Sequence, residues 1–579
     1  MMKKILLSLC SLSAVLSAVG QPAFWGNEKI SADNKEPSRT QFVSYDRRDD
    51  AETFVEDKSP FFLPLNGEWL FRRTEGPGAA DTAFLAGEGE GTRVSVPGLW
   101  TDTPASELEA MKAPMLPEAN PVGQYRAEAM IPVFWLDRDI FIRVAGARPG
   151  VTLYVNGRRV GYSEDAGAPA EFNIRPYVKE GRNVIGLEIP KWTTGSRLEN
   201  GDLRGAGIEG GVWLYSQPRV HIADFSVNTA LDSAGRNGVL DLSIILENSF
   251  NSDEQATVYF DLMDAAGNVV RYNYREVTVP GVGGRDTVRF EAAVPNVMAW
   301  SPDSPYLYRM MLRVRHEGYF KEYIPYKLGF QELKRGEDGR WYVNGKPLLI
   351  KGVNYEYAGG TVDEKSLRAE LARLKAAGVN ALKCHYHPLK NRLYELCAEY
   401  GFYICDGVNI DSFLSGDSRY MGGTLANDPA WLDAHLFRVE NAWRHNRNHT
   451  GLVMWSLGER SGIGYNLYKA YDRMRELDSL RRPVAYDQAR NYWSTDVFFP
   501  ANPNAETIVR WAEGVDSRPG VASAFSAPSE NADSIGRIWE SLSRSAKWQG
   551  GFATGISPEA LRALYREPVA KPSGNRKKR

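Results

Sequence analysis

The sequence predicts a multidomain protein of mixed β plus α/β class, in which two β domains precede a C-terminal (β/α)8 TIM barrel. Three observations carry this prediction. The chain has 579 residues, which is too many for one hydrophobic core. Short strands separated by turns dominate up to residue 330. After Gly329-Phe330, apolar strands alternate with amphipathic helices, a pattern typical of βα units around a parallel sheet.

The composition describes an ordinary globular protein and excludes two classes of partner. Hydrophobic residues make up 43% of the chain and charged residues 25%. The formal net charge of −2 gives no electrostatic reason to bind nucleic acid or an anionic membrane. No apolar run after the N-terminal segment is long enough to span a bilayer. We therefore expect no nucleic-acid partner and no transmembrane segment.

Residues 1–20 are predicted as a signal peptide. Lys3 and Lys4 precede an apolar stretch at residues 5–19, and small residues follow, which predicts cleavage near Gly20-Gln21. The mature protein is then expected to be exported, either to the periplasm or out of the cell.

The mature chain keeps three cysteines, Cys384, Cys397 and Cys405. Their odd number and the lack of a framework spacing argue against disulfides. We expect them to be buried free thiols in the barrel.

Residues 21–60 are predicted as an extended arm, residues 61–220 as the first β domain and residues 221–330 as the second. In the first, Val151-Thr-Leu-Tyr-Val155 alternates with period two and runs into the turn Asn156-Gly157, a strong hairpin signal. In the second, strands recur at short spacing without a charged cluster. That pattern fits an immunoglobulin-like β-sandwich.

Residues 331–566 are predicted as the TIM barrel and residues 567–579 as a basic, solvated tail. The active site of such a barrel lies at the C-terminal ends of its strands. Helices are expected between eight strand candidates, which are residues 348–352, 381–384, 402–405, 452–455, 484–486, 497–499, 521–525 and 550–552.

The helix after the first barrel strand has the clearest pattern. Leu367, Leu371 and Leu374 lie on one helical face, and Thr361 with Glu364 forms a candidate capping box.

Three segments carry a family resemblance. Residues 155–165 read Val-Asn-Gly-Arg-Arg-Val-Gly-Tyr-Ser-Glu-Asp, residues 455–462 read Trp-Ser-Leu-Gly-Glu-Arg-Ser-Gly, and residues 549–552 read Gln-Gly-Gly-Phe. They resemble glycoside hydrolase family 2, the β-galactosidase family, over nearly all of the mature chain. The resemblance implies that the first β domain is a jelly-roll sugar-binding domain. It also implies a retaining glycosidase ancestry, in which two carboxyl groups roughly 5–5.5 Å apart act as acid/base and nucleophile.

The acid/base position is altered. The family segment reads Trp-Ser-Leu-Gly-Asn-Glu-Ser-Gly, so Glu459 falls on the Asn position and Arg460 on the position of the proton donor. Arginine stays protonated in proteins and cannot replace a carboxylic acid. Strand alternation predicts that Glu459 and Arg460 point to opposite faces, although a bulge could re-aim Glu459. Glu459 is therefore the remaining candidate for an acid/base residue.

The nucleophile and the family's magnesium site are altered too. By resemblance Ala524 stands at the nucleophile position, and Glu530 is the nearest carboxylate downstream, either as a replacement nucleophile or as an ordinary surface residue. Asp411 and Phe413 stand at two magnesium-ligand positions and Arg460 at the third, so we expect no metal and no cofactor. We hypothesise that Arg460 pairs with Asp411 in the vacated cation position.

The resemblance also supplies candidate substrate-binding residues at the strand ends and in the jelly-roll loop. His385 and His387 are expected to be satisfied polar histidines, because no further ligand completes a metal set. The candidates for substrate binding are Asp202, Asn354, Asn409, Asp411, Trp455 and Arg460.

Three functional hypotheses remain open. The leading one is a catalytically degenerate family 2 protein that binds carbohydrate, a β-linked glycan, or acts as a scaffold. The second is an active retaining β-glycosidase with Glu459 as acid/base and Glu530 or Asp411 as nucleophile. The third is a structural or assembly protein that binds protein partners through its β domains. Two carboxyl groups facing each other in the barrel mouth would favour the second hypothesis.

Overall fold

The computed structural model describes residues 24–76, 81–102, 116–117, 119–199, 205–357, 359–360, 362–415, 423–526 and 532–565. The predicted signal peptide, the basic tail, Asp202 and Glu530 lie outside the described residues. Within the described part, no helix is long and apolar enough to cross a membrane.

The first β domain is a two-sheet jelly roll. Its hairpin forms at the predicted turn, where Asn156 and Gly157 both take positive φ, 51° and 76°, as a tight two-residue hairpin turn requires. One sheet contains, in spatial order, strands Ala32–Asp33, Arg158–Glu164, Gly150–Val155, Gly181–Pro190, Val122–Ile131, Gly67–Thr74 and Thr92–Val96. The other contains Ala170–Asn173, Asp139–Arg148, Gly205–Gln217 and Phe62–Pro64, and Gly98–Asp102 also pairs with Gly205–Gln217.

The second domain is a β-sandwich of immunoglobulin-like form. Alternate residues of its strands fill the space between two antiparallel sheets, and Leu242, Phe260 and Leu312 are fully buried there. The first sheet contains Val220–Leu231, Gly238–Asn248 and Gly284–Val294. The second contains Val269–Val279, Glu254–Met263, Tyr308–His316 and Tyr319–Leu328.

The barrel is an arc of parallel strands. In spatial order the strands are Val484–Ala485, Leu452–Ser456, Tyr403–Gly407, Ala381–Cys384, Ile350–Asn354, Trp548–Ala553 and Gly520–Phe525. The antiparallel strands Leu333–Arg335, Trp341–Val343 and Lys346–Pro347 precede it in the chain. These parallel strands, the jelly roll and the sandwich confirm the predicted fold class.

The barrel departs from eight regular units at its fifth and sixth strands. The predicted sixth strand, residues 497–499, is not a regular strand. The wider segment 496–501 is joined to the seventh strand, Gly520–Phe525, by isolated bridges at Phe498 and Ala501, and to the fifth strand by a hydrogen bond from Asp496 N to Val484 O. Residues 486–496, where a helix was expected, form a loop without a helix.

The helices pack outside the strands. The first, Glu364–Ala376, buries Leu367, Leu371 and Leu374 as predicted, and its N-cap is Asp363. Thr361 of the candidate capping box lies outside the described residues. The other barrel helices are Lys390–Tyr400, Leu432–Asn446, Tyr465–Leu477, Ala505–Glu513, Ala532–Arg544 and Pro558–Tyr565. Short helices lie at Arg48–Ala51, Thr82–Ala86 and Gly195–Leu198, and 3-10 turns at Phe24–Gly26, Glu56–Lys58, Val133–Trp135, Phe413–Ser415, Leu425–Asn427 and Pro429–Trp431.

Cys384, Cys397 and Cys405 are buried and form no disulfide within the described part of the chain. Burial raises the pKa of Cys397, and burial also raises that of Cys405, so both thiols are held in the neutral form. Both are inert packing groups at physiological pH.

The jelly roll docks on the barrel beside the second barrel strand. The Tyr386 hydroxyl donates to Glu209 Oε2 at 2.6 Å, and the Arg148 guanidinium stacks on the Tyr386 ring at 3.8 Å. A second contact is a fully buried ion pair, in which Arg438 Nη2 lies 2.9 Å from Glu199 Oε1. These contacts fix the jelly roll against the C-terminal edge of the barrel, where the site lies.

The buried Arg438–Glu199 pair predicts a large stability effect. Arg438→Met should lower the free energy of unfolding by about 3–5 kcal/mol, because it leaves a buried carboxylate without its counter-charge. The measurement is urea unfolding followed by tryptophan fluorescence.

The matched control is Arg473→Ala on the next helix, whose pair with Glu440 is about one-third exposed. It should cost less than about 1 kcal/mol. Similar losses in the two variants would contradict this assignment.

Candidate functional site

The end of the fourth barrel strand turns sharply at Gly458. This glycine takes a φ of 124°, and a Cβ there would lie 2.3 Å from Ile410 O, so a side chain is excluded. Directly after it, Glu459 N donates to Ile410 O at 2.9 Å. The turn breaks the strand alternation. Glu459 therefore reaches across the barrel mouth towards the end of the second strand, as the alternative of a locally re-aimed side chain allows.

Glu459 is held by two basic side chains from the end of the second strand. Lys383 Nζ lies 2.5 Å and His385 Nε2 lies 3.0 Å from Glu459 Oε1. Burial alone would raise the pKa of Glu459, but the charges of Lys383 and His385 outweigh it and hold the pKa well below its usual range. Glu459 is thus a carboxylate at neutral pH, and it has no proton to donate to a leaving group.

Lys383 connects the second barrel strand with the ends of the fourth and seventh strands. Its ammonium also donates to Ser523 O of the seventh strand at 2.9 Å and lies 5.4 Å from the centre of the Phe499 ring. The side chain is almost completely buried. A buried ammonium is stable only with such partners, so Lys383 and Glu459 stabilise each other.

Asp487, which follows the fifth strand, is a further acidic residue at this site. The backbone N–H of Arg460 donates to its carboxylate, and among the described residues Asp487 Oδ1 is buried without a hydrogen-bond partner. Burial, and next the negative charge of Glu459, raise the pKa of Asp487 to about 6. Sequence reasoning missed this residue. Its position directly after a barrel strand could have identified it, but no family motif covers this part of the sequence.

The hypothesised pair between Arg460 and Asp411 is present. The Arg460 guanidinium forms an ion pair with Asp411 Oδ2, and its Nε lies 3.2 Å from the same oxygen. The guanidinium also lies 5.2 Å from the centre of the Phe413 ring. Arg460 has a φ of 45° and its side chain is 51% exposed, so it forms the rim of the mouth.

The resemblance assigns the nucleophile position to Ala524. Ala524 lies in the seventh strand, Gly520–Phe525, and its carbonyl accepts a hydrogen bond from Asn502 N at 2.7 Å. Glu530 lies outside the described residues. Asp411, the other candidate, is already bound to Arg460.

Two predicted substrate-binding asparagines are engaged within the protein. Asn409 Nδ2 donates to Asp165 Oδ1 of the jelly roll at 3.1 Å, and Asn354 Nδ2 donates to Thr554 Oγ1 at 2.6 Å. Asn409 is buried, so its amide fixes the domain junction rather than a ligand.

The prediction that Trp455 binds substrate is wrong. Trp455 is fully buried in the layer between strands and helices, where the Arg482 guanidinium lies 5.1 Å from its ring centre. Alternate residues of a barrel strand face inward and outward, and Trp455 occupies an outward position.

His385 and His387 have different roles. His387 Nδ1 accepts from Leu389 N at 3.1 Å, and burial lowers its pKa to about 4, so it is a neutral structural residue as predicted. His385 instead belongs to the site through its contact with Glu459. Among the described residues, no group of three His, Cys, Asp or Glu side chains has an arrangement that could hold a metal ion.

Comparison with known proteins defines the family. Family models described as glycosyl hydrolases family 2 match three consecutive segments: the sugar binding domain at residues 62–218, a central segment at residues 220–331 and the TIM barrel domain at residues 335–553. The chain belongs to glycoside hydrolase family 2.

Its curated relatives are longer proteins. A β-galactosidase of Priestia megaterium is 29% identical over 580 residues, covering 94% of this chain and 56% of that protein. A β-galactosidase of Vibrio cholerae is 29% identical over 522 residues, covering 84% and 50%. The chain thus spans about half the length of these relatives.

Solved structures share the fold at low sequence identity. A β-glucuronidase of Bacteroides uniformis matches with a TM-score of 0.71 at 16% identity, covering 85% of this chain and 64% of that one. A β-glucuronidase of Bifidobacterium dentium matches with a TM-score of 0.68 at 17% identity, covering 87% and 96%.

The Lys383–Glu459 pair predicts a pH-dependent contribution to stability. Because the pKa of Glu459 is lower in the folded than in the unfolded state, the pair stabilises the fold above about pH 4.5 and loses this effect as the pH falls through the folded pKa. Lys383→Met should cost about 1–3 kcal/mol at pH 7. Thermal melts at pH 3–7 should show the deficit shrinking below pH 4.5.

Lys375→Met is the control, because the Lys375 ammonium donates to two carbonyl oxygens, Pro302 O and Gly401 O, instead of pairing with a carboxylate. Its deficit should vary little with pH. A Lys383→Met deficit equal at pH 3 and pH 7 would show that Glu459 is not ionised by this contact.

Proposed function

We propose that this protein is a catalytically degenerate member of glycoside hydrolase family 2 that binds the end of a β-linked glycan at the barrel mouth. The observation that carries the proposal is the Lys383–Glu459 ion pair. Retaining hydrolysis needs a protonated acid that faces a free nucleophile. Glu459 is ionised by its partners, Asp411 is paired with Arg460, and by resemblance Ala524 stands at the position of the family nucleophile.

The rim of the mouth supports glycan binding. Arg460 presents a half-exposed guanidinium beside the Phe413 ring, which is 39% exposed. A ring supplies an apolar face for a sugar, and a guanidinium supplies a fork of hydrogen-bond donors for hydroxyl or carboxylate oxygens. The β-galactosidase relatives make a β-galactoside the first ligand to test.

The proposal predicts no covalent glycosyl intermediate. A cyclophellitol aziridine, which reacts with the nucleophile of retaining glycosidases, should add no mass to the protein in intact mass spectrometry. Aryl β-galactosides and β-glucuronides should be hydrolysed no faster by wild type than by Glu459→Gln. In calorimetric titrations, intact β-galactosides should bind, and Phe413→Ala should weaken binding about tenfold. Hydrolysis abolished by Glu459→Gln, or a labelled carboxylate, would refute the proposal.

One observation favours a second candidate function, an active β-glycosidase. The environments of Glu459 and Asp487 push their pKa values apart, which is how paired carboxyl groups divide the roles of base or nucleophile and acid. In that case the rate of aryl glycoside hydrolysis should fall as the pH rises through about 6, because Asp487 would lose its proton. Asp487→Asn should abolish the activity. Hydrolysis that is lost in Glu459→Gln favours this candidate, and hydrolysis no faster in wild type than in Glu459→Gln favours the first.

We also propose that the protein is exported, as residues 1–20 of the sequence indicate. Expression in a Gram-negative host should yield a mature protein that begins near Gln21, as determined by N-terminal mass spectrometry of the periplasmic fraction. An intact Met1 in the only folded product would contradict export by this segment.

A further inference from the structure

A cavity of about 180 Å³ lies between the immunoglobulin-like domain and the barrel, at the end of the barrel opposite the mouth. One wall is part of the first sandwich strand, Val220–Leu231, and a second is the segment 328–334, which leads from the sandwich to the barrel. The third wall is the segment 447–452, at the start of the fourth barrel strand. Because its walls come from both domains, the cavity is part of the junction between them.

The charged side chains around this cavity already have counter-charges. The three ion pairs are Arg447 with Asp224 at 2.6 Å, Arg482 with Asp478 at 2.5 Å, and Lys334 with Glu332. A charged ligand would have to displace one of these partners, and two of the pairs are buried. The walls therefore favour an uncharged molecule.

His449 supplies an unused polar group to the cavity. It is only 7% exposed and lines the cavity, and its ring packs edge-on against Tyr394. Burial lowers the pKa of His449 to about 3, so its imidazole is neutral and has one donor and one acceptor nitrogen. Among the described residues, neither nitrogen forms a hydrogen bond.

Two further lining residues have unsatisfied polar atoms. Gln331 Oε1 and Arg447 Nε are buried without a hydrogen-bond partner within the described part of the chain. One is an acceptor and the other a donor. A hydroxyl group, which both donates and accepts, is the polar group that suits such walls.

The remaining lining is aliphatic. It consists of Val227, Ala230, Leu328, Leu333, Leu452 and Leu480. An apolar cavity of about 150 Å³ in another protein binds benzene, so this slightly larger cavity matches one six-membered ring with a small substituent.

We propose that this cavity binds a small uncharged phenol, with the ring against the aliphatic walls and the hydroxyl group on His449. The site is separate from the barrel mouth and does not depend on the function proposed there. A bound phenol contacts both domains, so it stabilises the junction between the sandwich and the barrel.

The test is ¹⁹F NMR of 4-fluorophenol, with phenol, toluene and benzoate as unlabelled competitors. Wild type should bind 4-fluorophenol, and phenol should displace it. Toluene has a similar shape without the hydroxyl group and should compete about tenfold less well. Benzoate should not compete, because its charge has no partner in the cavity.

Two variants locate the ligand. Leu480 is 37% exposed, so Leu480→Trp can place a large ring in the cavity without disturbing the core, and it should abolish binding. His449→Phe keeps a ring beside Tyr394 and should remove the preference for phenol over toluene. The matched control is Val509→Trp on the helix Ala505–Glu513, where Val509 is 49% exposed and does not line the cavity. It should bind like wild type, and circular dichroism checks that all three variants are folded.

Four outcomes would overturn the proposal. Unchanged binding in Leu480→Trp would place the ligand elsewhere. An unchanged preference for phenol in His449→Phe would remove His449 from the site. Benzoate that competes as well as phenol would contradict the choice of an uncharged ligand. No binding of 4-fluorophenol to wild type would show that the cavity holds water only.

Discussion

The ion pair between Lys383 and Glu459 is the interaction on which the barrel mouth depends. Lys383 emerges from the second strand, Glu459 from the fourth, and the same ammonium binds the backbone of the seventh strand. A buried cation and a half-buried anion each need the other, because neither is well solvated at the strand ends. The pair therefore joins three strand ends and at the same time keeps Glu459 deprotonated.

The rim repeats this arrangement of one acid and one cation. Arg460 pairs with Asp411 across the ends of the fourth and third strands. In the first pair the charge of Lys383 lowers the pKa of Glu459, which disfavours proton donation by that residue. Asp487 is the exception, since burial and its neighbour Glu459 favour its protonated form. The chemistry of the mouth thus depends on whether Asp487 alone can act as an acid.

The fold could be read from the sequence where the local pattern is strong. Period-two alternation followed by Asn156-Gly157 predicted the hairpin, and the apolar helix face that includes Leu371 predicted the first barrel helix. Both elements are present in the structure. The sixth strand and the helix before it were overpredicted, because an apolar run such as residues 497–499 can fill a barrel position without regular pairing. Short apolar runs do not reveal their hydrogen-bond partners.

The site was predictable in part. The resemblance places Asp411 and Arg460 at positions of the family's magnesium site, which led to the hypothesis of the Arg460–Asp411 pair that the structure contains. The aim of Glu459 was not predictable, since the positive φ of Gly458 breaks the alternation on which such a prediction rests. Trp455 was assigned to the site by resemblance, although its position on the strand faces the helices. Asp487 has no motif, and only its place at the end of the fifth strand brings it to the site.

We propose that the barrel mouth receives a β-linked sugar and leaves its glycosidic bond intact. A crystal structure after prolonged soaking with a β-linked galactosyl disaccharide tests this claim most directly. We expect an uncleaved disaccharide beside Arg460 and Phe413, with Glu459 still bound to Lys383. A monosaccharide product, or a sugar covalently attached to Glu459 or Asp487, would contradict it.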